Sequence, residues 1–264
     1  MKKIKWSRLY LGLVLFILYL PIFYLIYFSF SSGQNMDHFK TFTWDHYRDL
    51  FTDTRLLAIF LQTIILALLS SVVATIIGTL GAIGISETRN KKTKGVLLAL
   101  NNILMVSPDV IIGASFLIFF TALGIGLGFV SVLLSHIAFS IPIVVLMVLP
   151  RLYEFDSSLI DAAKDLGASS LQIFNKILLP AITPGILAGF FMALTYSLDD
   201  FAVTFFVTGN GFSTLSVEIY SRARQGINLE INALSTIMFV LVMLIVFGYY
   251  FVSLKKRKKK VENK

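Results

Sequence analysis

The sequence has no cysteine, which excludes disulfides and thiolate metal sites and leaves the compartment to be argued from topology. Histidine is nearly as scarce. His38, His46 and His136 are scattered rather than paired at helical spacing, and neither H-E-x-x-H nor G-x-S-x-G occurs. A G-x-x-x-x-G-K-[ST] loop to cradle nucleotide phosphates is missing too, so any ATP and Mg belong to a partner and none is expected on this chain. With no catalytic constellation, a non-enzymatic role is expected. His136, alone in an apolar run, reads as a packed and hydrogen-bonded side chain rather than a ligand. Charge is sparse as well. Only 14% of the 264 residues are charged against 56% hydrophobic, the balance of a membrane protein. The net charge of +8 would suggest nucleic acid in a soluble protein. Here much of it sits in 255–260 and ahead of the first apolar run, where it suits orientation and anionic lipid instead, so no nucleic-acid partner is expected. No internal repeat is present, and no low-complexity tract beyond the basic tail.

What the chain does have is long apolar runs. The first, 9–30, carries no charge and is long enough to cross about 30 Å of hydrocarbon at 1.5 Å per residue. It exceeds a signal-peptide core and lacks a clear small-x-small cleavage site, so it reads as a span. Polar, aromatic residues 31–55, with Trp44 and Tyr47, then form a small interfacial structure. A second span, 56–86, presents Ser70, Ala74, Gly78, Gly81 and Gly84, small residues that let helix backbones approach closely. The low-charge stretch 95–150 is too long for one crossing, and Gly124, Gly126 and Gly128 fold it into spans 96–123 and 129–149. Spans 184–207 and 232–254 complete a set of six in a single transmembrane domain, 1–264, with 208–230 as a second outer loop. Of 23 Lys and Arg, eighteen lie on the side of both termini and only five on the other, which makes the termini and the loop 150–183 cytoplasmic.

Three acidic side chains within or beside those spans are costly there. An aspartate near mid-span costs about 2.5 to 3.5 kcal/mol on insertion scales, so Asp109, which follows Pro108, and the Asp199–Asp200 pair point to a water-lined cavity or to a tie between helices. Tyr196 adds an aromatic face beside them. Adjacent helical residues point about 100° apart, so Asp199 and Asp200 do not both face one path, and which of them does is open at this level.

The one polar island wide enough to fold is 158–180. Ser158 with Asp161 has the form of a capping box, Gly167 suits the left-handed turn that ends a helix, Ser169 with Gln172 repeats the start signal, and Pro180 closes the second piece. Two short helices thus meet at a glycine elbow. The elbow is too short, and too closely flanked by spans, for a DNA-reading helix-turn-helix. A solvated loop with tidy caps would look similar, but the spacing Asp161-Ala162-Ala163, three residues, Gly167, nine residues, then Ile177-Leu178-Leu179-Pro180 resembles the signature loop of ABC-importer permeases. Asp161 stands where that family has Glu.

The resemblance runs further. Six spans, Ser-x-Asp-Asp-Phe at 197–201, Phe-Val-Thr-Gly at 206–209 and Leu-Ser-Val-Glu-Ile-Tyr-Ser at 215–221 look like the spermidine/putrescine importer permeases, the shorter of their two permease subunits. It implies an all-α, type I ABC-importer permease in a bacterial inner membrane, with a second permease subunit, a cytoplasmic ATPase dimer docked on the elbow and an extracytoplasmic polyamine-binding protein. Asp161, Ala162, Ala163, Gly167, Ile177, Leu179 and Pro180 would form the ATPase-coupling loop. Asp109, Tyr196, Asp199 and Asp200 suit ammonium groups, which take carboxylates for charge and aromatic faces for cation–π contact, in spermidine and putrescine alike. The rival class is an ion-gradient-driven carrier or channel for organic cations, which needs no docking helix for an ATPase.

Overall fold

Amides in hydrocarbon find no partner outside their own segment, so charge-free runs fold as helix. Helices account for most of the computed structural model, which describes residues 6–33, 36–225 and 229–262. Among these the only β pairing is one antiparallel bridge, Ser31 to Phe42. Lys2, Lys3 and Lys5 lie outside the described residues, as do the side chains of the basic tail. Helix α1 is Trp6–Phe28, α2 Asp45–Thr52, α3 Thr54–Glu87, α4 Lys91–Val106, α5 Asp109–Ala122 and α6 Phe129–Tyr153. They are followed by α7 Ser158–Asp165, α8 Ser170–Ile173, a π-turn Phe174–Leu178, α9 Leu179–Asp199, α10 Ala202–Val207, α11 Leu215–Gln225 and α12 Leu229–Glu262. Four stretches are long and apolar enough to cross a bilayer: Leu9–Phe28, Thr54–Glu87, Phe129–Tyr153 and Ser170–Asp199.

The third expected span, 96–123, is divided. Ser107 and Pro108 are extended and the axes of α4 and α5 diverge by 103°, a break rather than the bend that a proline alone suggests. Pro108 has no amide to continue α4, while its carbonyl starts α5 by accepting from Ile111 and Ile112. The fifth expected span, 184–207, starts earlier and is interrupted. Thr183, Pro184 and Gly185 lie inside α9 instead of opening it, and α9 gives way to α10 at Asp200 and Phe201. Residues 232–254 fall within α12, whose described apolar part is Leu229–Leu244.

By its contacts the chain divides into two units, Met1–Leu57 with Ile219–Lys264, and Ala58–Glu218. In the first, α1 and α2 both pack against α12. The chain leaves α1 through Ser29, whose hydroxyl meets the Tyr47 hydroxyl at 2.7 Å, and Phe30, Phe42, Trp44 and Tyr47 cluster ring against ring. Arg222 holds Asp53, at 3.7 Å, and Glu230, at 3.1 Å, and so links α11 and α12 to the turn after α2.

The second unit is organised around α6 and α9. Val144, Val145, Val148 and Leu149 of α6 meet Ile182 and Ala193 of α9 and Ala82 and Ile85 of α3 in one buried cluster. A second cluster joins Leu66, Ile112, Phe120, Val132, Phe139, Val203 and Val207. Lipid gives little hydrophobic drive between helices, so close backbone approach matters more than apolar area. Small residues provide it: a Cβ at Gly78 would lie 2.6 Å from Val144 Cβ, and one at Gly185 2.8 Å from the Met147 carbonyl. The small-residue face of α3 is narrower than its glycines suggest. Ser70, Ser71, Ala74, Thr75, Gly78 and Ala82 are buried, while Gly81 and Gly84 are exposed. Gly78→Ala should destabilise the detergent-solubilised chain by about 1 to 3 kcal/mol through overpacking. Gly84→Ala, whose Cβ meets nothing within 4 Å, should be neutral or stabilising by up to about 1 kcal/mol, and thermal unfolding of the two variants checks the contrast.

Candidate functional site

Two places in the second unit carry the residues singled out by the sequence. The first is the elbow. Helix α7 starts one residue earlier than expected and without the Ser158–Asp161 box. Ser158 is already helical, and the cap comes from Asp156, whose carboxylate accepts the Ser158 amide at 2.9 Å. That amide, with the Ser158 hydroxyl second, holds the Asp156 carboxyl below its ordinary value. A carboxylate so favoured supports the elbow at neutral pH, and its contribution fades only as pH falls through the lowered value.

At its far end α7 closes as a Schellman motif. Gly167 has φ +77°, its amide donates to the Lys164 carbonyl at 2.8 Å, and the Ala168 amide donates to the Ala163 carbonyl at 2.9 Å. The second start signal forms as a reciprocal box: the Ser169 amide donates to Gln172 Oε1 at 2.8 Å and the Gln172 amide to Ser169 Oγ at 3.4 Å. Pro180 does not close this piece. Helix α8 runs through the π-turn into α9, and Pro180 lies in the first turn of α9. The widened turn just ahead of it gives room for a ring that would strike the carbonyl four residues back in a regular helix.

The elbow puts apolar side chains where a polar loop would hide them. Leu166 is 88% exposed and Leu171 69%, with Leu159, Asp161, Ala162 and Gly167 exposed beside them. Ala163 and Ile173 turn inward, Ile177 and Leu179 are half-buried, and Pro180 is exposed. Asp161 faces Lys164 at 3.5 Å, an exposed pair that contributes little to stability and leaves the carboxylate accessible.

The second place is the break between α9 and α10. Asp200 ends α9 with an extended backbone and turns its carboxylate inward, 8% exposed. Oδ2 accepts the Thr204 amide at 2.8 Å and the Thr204 hydroxyl at 2.7 Å, and Oδ1 accepts the Val203 amide at 3.3 Å. These contacts start α10. Beyond Thr204 lies His136, fully buried, with Nε2 2.9 Å from Thr204 Oγ1 and Nδ1 2.7 Å from Ser197 Oγ. Ser197 in turn meets Ser70 Oγ at 3.0 Å. One polar chain therefore ties α3, α6, α9 and α10.

Asp199 points the other way. It is exposed and makes no hydrogen bond or ion pair among the described residues. Asp109, first residue of α5 after the proline break, is also exposed and accepts the Tyr196 hydroxyl at 3.3 Å. Of the four candidate path residues the structure thus joins Asp109 to Tyr196 and leaves Asp199 open. Asp200 is committed to the protein interior. His136, Ser70, Ser197 and Thr204 escape sequence reasoning as a group because they sit on four helices with no shared spacing. Their one signal is that each is a polar residue inside an apolar run.

Residues 74–259 match the family of binding-protein-dependent transport system inner membrane components. The chain is 39% identical over 241 residues, 91% of each chain, to the spermidine/putrescine transport system permease protein PotC of Escherichia coli K12. It is 38% identical over 229 residues to PotC of Haemophilus influenzae, covering 87% of this chain and 89% of the relative. To the putrescine transport system permease protein PotI of Escherichia coli K12 it is 30% identical over 264 residues, 98% of this chain and 94% of that one. Among solved structures, a chain of a bacterial alginate ABC transporter in complex with its alginate-bound periplasmic protein superposes with TM-score 0.69 at 19% identity, covering 92% and 91% of the two chains. A chain of the inward-facing MetNI methionine ABC transporter gives 0.62 at 22% identity, covering 76% and 97%. The architecture is that of ABC-importer permeases.

Burial separates the two neighbouring acids in a measurable way. Asp200→Ala strands the partners of a buried carboxylate and should cost about 3 to 5 kcal/mol, so little folded protein should be recovered in size-exclusion chromatography. Asp199→Ala should stay within about 0.5 kcal/mol of the parent.

Proposed function

The chain belongs to the family of binding-protein-dependent transport system inner membrane components, and on that premise we propose that it takes up polyamines as one permease half of an ATP-driven importer. It is a non-catalytic, multi-pass membrane subunit. A second permease subunit completes the path, a cytoplasmic ATPase dimer using ATP and Mg docks on the elbow 158–180, and an extracytoplasmic protein delivers the cargo. Both termini and the loop 150–183 face the cytoplasm, in keeping with the excess of Lys and Arg on that side.

The observation that carries the cargo assignment is the carboxylate left without a partner. Asp199 is exposed and unpaired among the described residues, in a helix whose neighbouring acid is satisfied internally. An exposed carboxylate with no internal partner is free to pair with an ammonium group through charge-assisted hydrogen bonds. Asp109 and Tyr196, joined at 3.3 Å, add a second carboxylate and an aromatic face. A flexible chain of ammonium groups fits such spaced anions, and the likeness to PotC and PotI over most of the chain agrees with it. At the elbow, the exposed Leu159, Leu166 and Leu171 offer apolar anchors to a groove in the ATPase, and the Schellman turn fixes the angle between α7 and α8. Rigid-body motion of the ATPase then reaches α9 directly, because α8 and α9 form one uninterrupted helical run.

Uptake of labelled spermidine and putrescine per assembled complex tests this. Asp199→Asn and Asp109→Asn keep size and hydrogen bonding but remove charge-assisted contacts of about 1.5 to 3 kcal/mol, so each should lower uptake about tenfold or more with assembly intact. Uptake that persists without the ATPase subunit would point to an ion-gradient carrier instead. In the same assay, Gly167→Leu should leave assembly near normal but uncouple hydrolysis from uptake. A Cβ at Gly167 meets nothing within 4 Å, yet a side chain in the left-handed region costs about 1 to 2 kcal/mol and shifts α7 against the ATPase. Normal uptake in this variant would move the coupling point elsewhere.

A further inference from the structure

The buried chain through His136 does more than satisfy polar atoms, because it ends on the same turns of α9 that carry the exposed cargo residues. An ionised Asp200 only accepts hydrogen bonds, so the single proton of the Thr204 hydroxyl goes to Asp200 at 2.7 Å. His136 Nε2 faces two acceptors, Thr204 Oγ1 at 2.9 Å and Asp200 Oδ2 at 3.5 Å, which makes it the donor. Nδ1 faces Ser197 Oγ at 2.7 Å. His136 therefore reads both sides of the α9–α10 break, the last turn of α9 through Ser197 and the first of α10 through Thr204. Phe139 lies three residues on, on the same face of α6. Its ring centroid is 4.9 Å from that of His136 and 5.2 Å from that of Tyr196, edge to face at 81°. Both are buried, His136 at 0% exposed and Phe139 at 4%. Tyr196 and Ser197 are neighbours, so one turn of α6 grips two successive residues of α9.

We propose that His136 and Phe139 are positioning residues for cargo recognition: through Ser197, Thr204–Asp200 and Tyr196 they set the rotation of the end of α9, so that Asp199 faces out and the Tyr196 hydroxyl meets Asp109. The proposal rests on the reading of Asp109, Tyr196 and Asp199 as the cation-facing edge. Rotation is the sensitive variable. Adjacent residues of a helix point about 100° apart, so a turn of the end of α9 by even part of that angle would carry Asp199 off the exposed edge. Apolar packing alone resists such a turn weakly, since sliding one aliphatic contact past another changes little. A hydrogen-bonded histidine with both ring nitrogens engaged has one low-energy orientation, and its partners lie on two other helices, α9 and α10. His136 and Phe139 are both buried and cannot meet cargo themselves; Phe139 reaches the edge only through the ring of Tyr196, so the effect of either has to pass through α9.

The test uses the full chain assembled with its partners and two readouts. In the cysteine-free background, Asp199→Cys gives a single thiol whose labelling rate by a small cationic methanethiosulfonate reports how far position 199 faces the water. A second single cysteine, Lys91→Cys at the exposed start of α4, away from the elbow and the cargo edge, reports general damage. Adding His136→Leu or Phe139→Leu should change the rate at 199 about tenfold and leave the rate at 91 within about twofold. Adding His136→Gln, whose terminal amide reaches the Nε2 position and can donate to Thr204, should restore most of the parent rate. In the native-aspartate background, His136→Leu and Phe139→Leu should raise the half-saturating polyamine concentration about tenfold with maximal uptake changed less than threefold. If His136→Leu fails to assemble, Phe139→Leu, which keeps an apolar side chain in place, decides alone. Unchanged labelling at 199 overturns the positioning role. Labelling that shifts as expected while Asp109→Asn and Asp199→Asn transport normally keeps the positioning of α9 but overturns the cation-facing edge, so the two failures are told apart.

Discussion

Everything in this chain answers to one condition: inside a bilayer no water takes up a stray hydrogen-bonding group. Straight helices meet it by default. Each place where helix stops within the apolar stretches is therefore a place where side chains or loop geometry stand in for the missing backbone partners. At Ser107 and Pro108 the proline removes one donor, and its carbonyl begins the next helix. At Asp200 and Phe201 the free amides of α10 have no intrahelical acceptor, and the Asp200 carboxylate takes two of them. Both interruptions lie beside the acids Asp109 and Asp199, and a helix that breaks at such a point has a reason to do so.

The same condition makes buried polar groups informative about geometry. Leu and Val packed on one another tolerate small shifts, and lipid offers no hydrophobic drive to hold one helix against the next. Glycines at the α3–α6 and α6–α9 contacts let backbones come close enough for dispersion to hold them. The chain Ser70, Ser197, His136, Thr204 and Asp200 then supplies direction, because each hydrogen bond has an angle as well as a length. Distance is thus set by small residues and rotation by polar ones. The exposed edge of α9 inherits its orientation from this interior.

At the elbow the requirements are local, and local rules suffice. Gly167 accepts a left-handed backbone, Ser169 and Gln172 cap one another, and the two carbonyls at the end of α7 are satisfied within five residues. None of this depends on α3 or α6. Because its shape is built in, the elbow can present Leu159, Leu166 and Leu171 outward without losing its angle. Continuity of α8 with α9 connects that rigid surface to the helix that ends at the acids.

The residues alone determined the all-helical membrane class, the elbow and its glycine turn and the glycine fold near 124–128, because each follows from chain-local chemistry: hydropathy over twenty residues, caps over three or four, φ at one. They misplaced what depends on neighbours in space. Pro180 and Pro184 look like helix boundaries in one dimension, yet a π-turn and packing against α6 carry the helix through both. Ser158 has the letters of a cap, but Asp156 reaches its amide first. Gly81 and Gly84 continue the glycine pattern of α3 and are exposed, since a three-residue spacing drifts about 60° around the helix at each step while Ala82 and Ile85 keep the buried contact. Which of Asp199 and Asp200 faces inward could be settled only by Thr204 and His136. Thr204 is only four residues on from Asp200, but His136 lies 68 residues before Thr204, and only tertiary structure brings it within hydrogen-bond reach.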